Sequence, residues 1–132
     1  MPLNTHLGIR EVLCGRVTEL GEGRATVVLK TIVDMAADDR GLVHGGFVFG
    51  AADYAAMCAV NDPNVVLGSS DCRFVAPVEV GQRVVCRAVR TEQKGRKHLV
   101  EVTCDVDGKT VMTGTLTTFV LDDHVLGPTD PS

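Results

Sequence analysis

Val43-His44-Gly45-Gly46-Phe47-Val48-Phe49-Gly50-Ala51-Ala52-Asp53-Tyr54-Ala55-Ala56-Met57-Cys58-Ala59-Val60 is the stretch that decides the fold. It holds five alanines, two phenylalanines, three glycines and a single carboxylate, Asp53. Alanine and methionine favour helix, and the run is longer than an ordinary strand. At helical spacing Gly46, Phe49, Gly50, Asp53, Met57 and Val60 share one face, and Phe47, Ala51, Tyr54, Ala55 and Cys58 share the opposite one. Both faces are apolar, so the helix is expected to be buried on every side. Asn61-Asp62-Pro63 ends it, because Pro63 disfavours helical geometry in the residue before it.

Strands are expected on both sides of this helix. Residues 11–31 read as two strands turning at Gly21-Glu22-Gly23, with Ala25 to Leu29 rich in β-branched side chains. Residues 34–41 are polar and read as a loop, and residues up to about Ile9 drape over the domain. After the helix, strands are predicted at 65–75, 83–90, 98–106 and 109–121. Val100, Val102, Cys104 and Val106 alternate with Glu101, Thr103 and Asp105, and Asp107-Gly108 signals a hairpin. The tail beyond Asp122, with Pro128 and Pro131, is expected to fray. The resulting picture is α+β: a four-strand antiparallel meander after the helix, in a curved antiparallel sheet wrapped around one long central helix. That is the hot-dog architecture. The sheet can approach the helix closely because Gly50 and the alanines are small.

A chain of 132 residues has the ordinary size of one domain, and residues 1–132 are read as one, with its core at about 11–121. Its 45% hydrophobic content suffices for a core, and with four Phe, one Tyr and no Trp that core must be mostly aliphatic. The net charge of −4 leaves only Lys94-Gly95-Arg96-Lys97 as a basic stretch, which argues against nucleic acid as a partner. That stretch reads as a solvated turn or as a contact for the phosphates of a nucleotide-bearing substrate. The five cysteines, 14, 58, 72, 86 and 104, are odd in number and contain no Cys-x-x-Cys pair. They point to buried thiols in a reducing cytoplasm, with neither a disulfide framework nor a metal site. No signal pattern or bilayer-length apolar run appears, so no membrane association is expected.

The chemistry concentrates at the helix start. The first backbone N–H groups there have no intrahelical partner, and Gly45 and Gly46 let a ligand come close to them. The helix dipole adds partial positive charge at the same end. Together these suit a carbonyl becoming tetrahedral, with roughly 3–4 kcal/mol at stake per donor in such sites. Asp53 is the second anomaly, since a carboxylate in an apolar helix is costly unless it is paired or used. A partner such as Ser69 or Ser70 could satisfy it structurally, and His44 taken alone is equally a packed or capping histidine. Gly45 and Asp53 lie about 12 Å apart along a helix axis. One carbonyl cannot touch both within a chain. If both act, the helix start of one subunit faces Asp53 of another, and a two-fold homodimer forms two such sites.

Those residues carry a resemblance. His44-Gly45-Gly46 with Asp53 nine positions after the histidine is similar to the motif of the phenylacetate-pathway (PaaI-like) acyl-CoA thioesterases of the hot-dog superfamily. Phe74-Val75-Ala76-Pro77 resembles the family's aromatic-x-x-Pro, and Val80-Gly81 its turn; the likeness spans about Val27 to Val120. The resemblance implies hydrolysis of an acyl-CoA thioester to free acid and CoA, with no cofactor beyond CoA in the substrate and no metal. Asp53 would be the nucleophile or the base activating water. The N–H of Gly45, with that of Gly46, would hold the thioester oxygen, and His44 would orient the helix-start loop or the carbonyl. Ser69 or Ser70 would position water or Asp53, and Phe49, Met57 and Phe74 would line the acyl pocket. Self-association as a homodimer, and as a dimer of dimers (a homotetramer), goes with the family. One departure stands out: relatives often carry Asn about six residues before the histidine, where this chain has Asp38-Asp39-Arg40.

Three other readings compete. A hot-dog dehydratase or hydratase would carry His-x-x-x-Pro-x-x-Pro-Gly or a His-x-Asp loop, and neither occurs. An acyl-CoA sensor would carry a DNA-binding module, for which 132 residues leave no room. A non-catalytic acyl-CoA-binding protein of the same fold stays open.

Overall fold

The computed structural model describes residues 1–128. The elements run α1 (Glu11–Cys14), β1 (Arg16–Gly21), β2 (Arg24–Lys30), a 3-10 turn at Val33–Met35, α2 (Gly45–Val60), β3 (Val65–Phe74), β4 (Arg83–Lys94), β5 (Lys97–Val106) and β6 (Lys109–Val120). Every strand neighbour is antiparallel. The first expected strand begins only at Arg16, since Glu11–Cys14 forms a single helical turn. The Lys94–Lys97 stretch is the exposed β4–β5 turn. The expected fraying around Pro131 lies outside the described residues.

Two expectations are corrected. The sheet is neither curved around α2 nor closed. Its six strands run in one open row, β1-β2-β4-β5-β6-β3, leaving an unpaired edge on β1 and another on β3. The helix lies against one face of that row, mainly over β2, β4 and β5. It is consequently not buried on every side: Val48, Ala51, Ala52 and Tyr54 to Ala59 are buried, whereas Gly46 is exposed and Phe49, Gly50, Asp53 and Val60 are only partly covered. Apolar residues all round a helix state that it will be covered, not by what. The second correction concerns the meander, which comprises β4, β5 and β6 only. The strand after the helix, β3, pairs with β6 at the far edge, so residues 75–82 cross the structure to reach β4. Alternation marks which face of a strand is buried and says nothing about its neighbours.

The core is aliphatic. Val27, Leu29, Val84, Val100, Val102 and Leu116 point from the sheet toward Ala51, Ala52, Ala55 and Met57 of the helix. The small helix residues let sheet and helix approach closely, and burying each large aliphatic side chain contributes about 1.5–3 kcal/mol. At the other end of α2, Asn61 is the left-handed C-cap (φ 55°). Its side chain accepts from Asn4 N–H (2.7 Å) and donates to Pro2 O (3.0 Å), which fastens the N-terminal segment across the domain. No helix among the described residues is long and apolar enough to cross a membrane.

Candidate functional site

Two crossing segments fix the start of α2. Val43 N–H donates to Val78 O (2.8 Å) and His44 N–H to Met35 O (2.9 Å), so the chain enters the helix pinned from both sides. Before it, Asp38 Oδ1 accepts from the N–H groups of Arg40 (3.0 Å) and Leu42 (3.1 Å). Asp38, the first residue of the Asp38-Asp39-Arg40 stretch, therefore closes the loop that feeds the helix. Spacing alone did not show this, although an aspartate two residues before the receiving N–H is a turn signal.

At the start itself, Phe47 N–H already bonds to His44 O, leaving the amides of Gly45 and Gly46 as the unpaired donors of the first turn. His44 is the N-cap, but its side chain caps nothing. Its exposed imidazole stands edge-on to Phe47 (centroids 6.2 Å, planes 80°) and folds over Gly46. A Cβ on Gly46 would lie 3.1 Å from the ring, so the absence of a side chain there keeps the histidine in place and the amide approachable. A cleft of about 340 Å³ opens at this end, bounded by Val43, Gly45 and Val48 on the helix side and by Phe74 to Val78 with Val111 on the other. Every side chain lining it is apolar. Of the sequence-predicted residues, Gly45 and Phe74 line it, and Phe74 is half exposed. The crossing segment 75–78 and Val111 were missed. Phe74-Val75-Ala76-Pro77 marked the segment as a motif but not as a wall of the cleft, and nothing marked Val111.

Asp53 lies two turns further along, on the incompletely covered face of α2. Its Oδ1 is buried and has no hydrogen-bond partner in the chain. Burial raises its pKa from the usual 3.8 to about 6. Ser69 and Ser70 sit exposed on the edge strand β3, and neither hydrogen-bonds Asp53. Two unforeseen neighbours do sense it. The Cys14 and Cys72 thiols are raised, by burial first, with the charge of Asp53 contributing to each. Phe49 is partly covered on the same helix face, whereas Met57 is buried in the core. The structure thus groups Gly45, Gly46, His44 and Phe74 at the helix start and leaves Asp53, Phe49 and the serines apart from them. No group of three or more His, Cys, Asp or Glu among the described residues is placed to hold a metal ion.

The chain is similar in sequence and fold to known proteins. The thioesterase superfamily model matches residues 40–113, a segment containing the helix start, Asp53 and the crossing segment. Among curated proteins the chain is 49% identical over 123 residues to the methylthioribose-1-phosphate isomerase of Aquifex aeolicus, covering 93% of this chain but 27% of that protein. It is 28% identical to the transcription factor FapR of Caldanaerobacter subterraneus, over 82% of this chain and 54% of that one. The chain thus spans about a quarter to a half of the curated relatives it matches. Among solved structures, an uncharacterized protein of Pyrococcus horikoshii superposes with a TM-score of 0.95 at 45% identity, covering 96% of this chain and 98% of the other. A mutant of the phenylacetic acid degradation protein PaaI of Thermus thermophilus gives 0.78 at 33%, covering 84% and 96%. The chain belongs to the thioesterase superfamily, the hot-dog-fold superfamily whose members include the PaaI-like proteins.

Proposed function

We propose that the protein hydrolyses an acyl-CoA thioester to a free acid and CoA, at sites shared between two copies of the chain. The observation that carries this reading is Asp53 Oδ1, a buried carboxylate oxygen with no partner of its own on an otherwise apolar helix. A structural carboxylate in such a place would be hydrogen-bonded. A carboxylate poised to attack a carbonyl or to take a proton from water has to keep an oxygen free.

In the proposed reaction the thioester oxygen sits on the Gly45 and Gly46 amides, which take up the negative charge as the carbon becomes tetrahedral. Asp53 either attacks the carbonyl, breaking the C–S bond to give an acyl-aspartyl anhydride that water then hydrolyses, or takes a proton from a water that attacks in its place. In both routes the leaving CoA thiolate is protonated by the proton that water gives up. A pKa of about 6 keeps Asp53 ionised at neutral pH while leaving it basic enough to accept a proton. His44, packed over Gly46, orients the helix start. The cleft beside Gly45, lined by apolar side chains, is where the acyl group is placed in this reading.

The same distances support a dimer. Eight residues separate Gly45 from Asp53, about 12 Å of helix, so Asp53 must meet a helix start other than its own. The open edge of β3, where Gly68 to Asp71 are exposed, and the uncovered helix face around Phe49, Gly50 and Asp53 are the surfaces proposed for the partner. A dimer of dimers is proposed on the family's likeness alone. The protein is read as one domain working in the cytoplasm. Assay over a panel of acyl-CoAs with thiol detection tests the activity: turnover that is lost in Asp53→Asn supports it, and no turnover on any member sinks it. A second reading, binding without turnover, draws on the match to a transcription factor over 82% of this chain. Saturable binding of an acyl-CoA with no hydrolysis would select it.

A further inference from the structure

Outside the proposed site, the sheet carries a pair of thiols in an unusual position. Cys86 of β4 and Cys104 of β5 are directly opposite one another in the antiparallel ladder. Both are free, both point into the core, and both are 0% exposed. Their Sγ atoms are 2.9 Å apart. A disulfide needs about 2.0 Å between sulfurs and about 4.4–6.8 Å between Cα atoms. Directly opposed residues of an antiparallel pair have Cα atoms about 4.5–5.5 Å apart, inside that window. Joining the sulfurs therefore asks for less than about 1 Å of movement, available from side-chain rotation.

We propose that Cys86 and Cys104 are an oxidative modification site, converted by a peroxide into a cross-strand disulfide that ties β4 to β5 through the core. The reaction balances in two steps. One thiol, as its thiolate, attacks a peroxide oxygen; the O–O bond breaks, the sulfur becomes a sulfenic acid, and the departing oxygen is protonated to water. The sulfur of the second thiol then displaces the hydroxyl; the S–S bond forms, the S–O bond breaks, and the hydroxyl leaves with the thiol proton as a second water. Two thiols have lost two electrons, and hydrogen peroxide has gained them.

The surroundings set the pace and the outcome. The neighbouring Cys104 thiol, and then burial, hold Cys86 well above the ordinary thiol range. Thiolate is scarce in the closed sheet, so conversion is slow and quickens when the β4–β5 hairpin opens. Once formed, the sulfenic acid has a thiol in contact and no room for more oxidant, which favours the disulfide over sulfinic acid. Cys58 is equally buried but sits on α2, and Cys72 stands opposite Gly114 of β6. Neither shares this pairing.

The test uses the whole chain, incubated with hydrogen peroxide or with dithiothreitol. Each sample is then alkylated in denaturant and mapped as peptides without reduction. The expected result is a peptide joining Cys86 to Cys104, two hydrogen masses lighter than the separate thiols. Its appearance tracks a rise in Tm, and dithiothreitol reverses both. Cys86→Ala and Cys104→Ala should each abolish the Tm rise without affecting labelling of Cys58. The proposal is overturned if both thiols are still alkylated after complete oxidation of the half-buried Cys14 and Cys72. It is also overturned if they end as sulfinic acids, or if either is found bonded to Cys72. None of these outcomes depends on the thioesterase reading.

Discussion

Replacing Asp53 with asparagine should make the protein more stable and inactive together, and the stability gain should depend on pH in a defined way. Burial raises the Asp53 pKa from 3.8 to about 6. A carboxyl whose folded pKa lies above its unfolded one contributes fully below the unfolded value, and that contribution is lost as pH rises through the folded value. That rise corresponds to about 3 kcal/mol for a fully shielded group, and to about 2 kcal/mol once the partial exposure of Asp53 is allowed for. Asparagine has nearly the same shape and no charge at any of these pH values. The stability difference between Asp53→Asn and the parent should therefore widen by about 2 kcal/mol in favour of the variant between pH 4 and pH 8. Urea unfolding at a series of pH values measures this directly, with the slope checked for constancy. On the activity side, kcat/KM of the parent should rise about tenfold per pH unit below about 6 and level off above it. The variant should lose about 10²–10⁴-fold in turnover. A stability gap equal at pH 4 and pH 8 would refute the claim that Asp53 is an unsatisfied buried charge. A variant with parental turnover would remove it from the chemistry.

Further expectations follow from the same geometry. Gly46→Val places a side chain 3.1 Å from the His44 ring and over the first-turn amide; turnover should fall about 10²-fold with circular dichroism unchanged. Asp38→Ala removes the acceptor shared by Arg40 and Leu42 N–H; thermal unfolding should report about 1 kcal/mol of lost stability, and Asp38→Asn should recover most of it. Gly114→Ala puts a Cβ 2.6 Å from Cys72 Sγ and 3.2 Å from Asp71 O. It should cost about 1–3 kcal/mol in urea unfolding. Cys72→Ala in the same chain should return part of that loss, whereas equal losses in single and double variants would place the strain elsewhere.

The parts of the fold that were legible in the sequence are those set by short-range chemistry. Alanine content and Pro63 bounded the helix, and Asp107-Gly108 and Gly21-Glu22-Gly23 marked the hairpins. The alternation at Val100 to Val106 gave the inward face of β5. Strand order was not legible, because β3 reads like any other strand and its partner β6 lies far along the chain. The covering of α2 was misjudged for a related reason: Phe49, Gly50 and Val60 are apolar whether the chain's own sheet or something else covers them. At the candidate site, His44, Gly45, Gly46 and Asp53 stood out as polar or glycine residues in an apolar run. Val78 and Val111 did not, and Asp38 stood out only as part of the Asp38-Asp39-Arg40 departure, since their roles arise from a chain crossing and a turn that only the folded structure brings to the helix start.

The central claim is that Asp53 of one subunit works on a carbonyl held by the helix start of another, and subunit complementation tests it most directly. Asp53→Asn and Gly46→Val chains, each inactive alone, are mixed in equal amounts, unfolded, refolded together and assayed for acyl-CoA hydrolysis. Random pairing makes half the dimers mixed, and each mixed dimer holds one site with both halves intact, so about a quarter of the parental activity should return. Activity no higher than that of the separate variants would contradict a site shared between subunits.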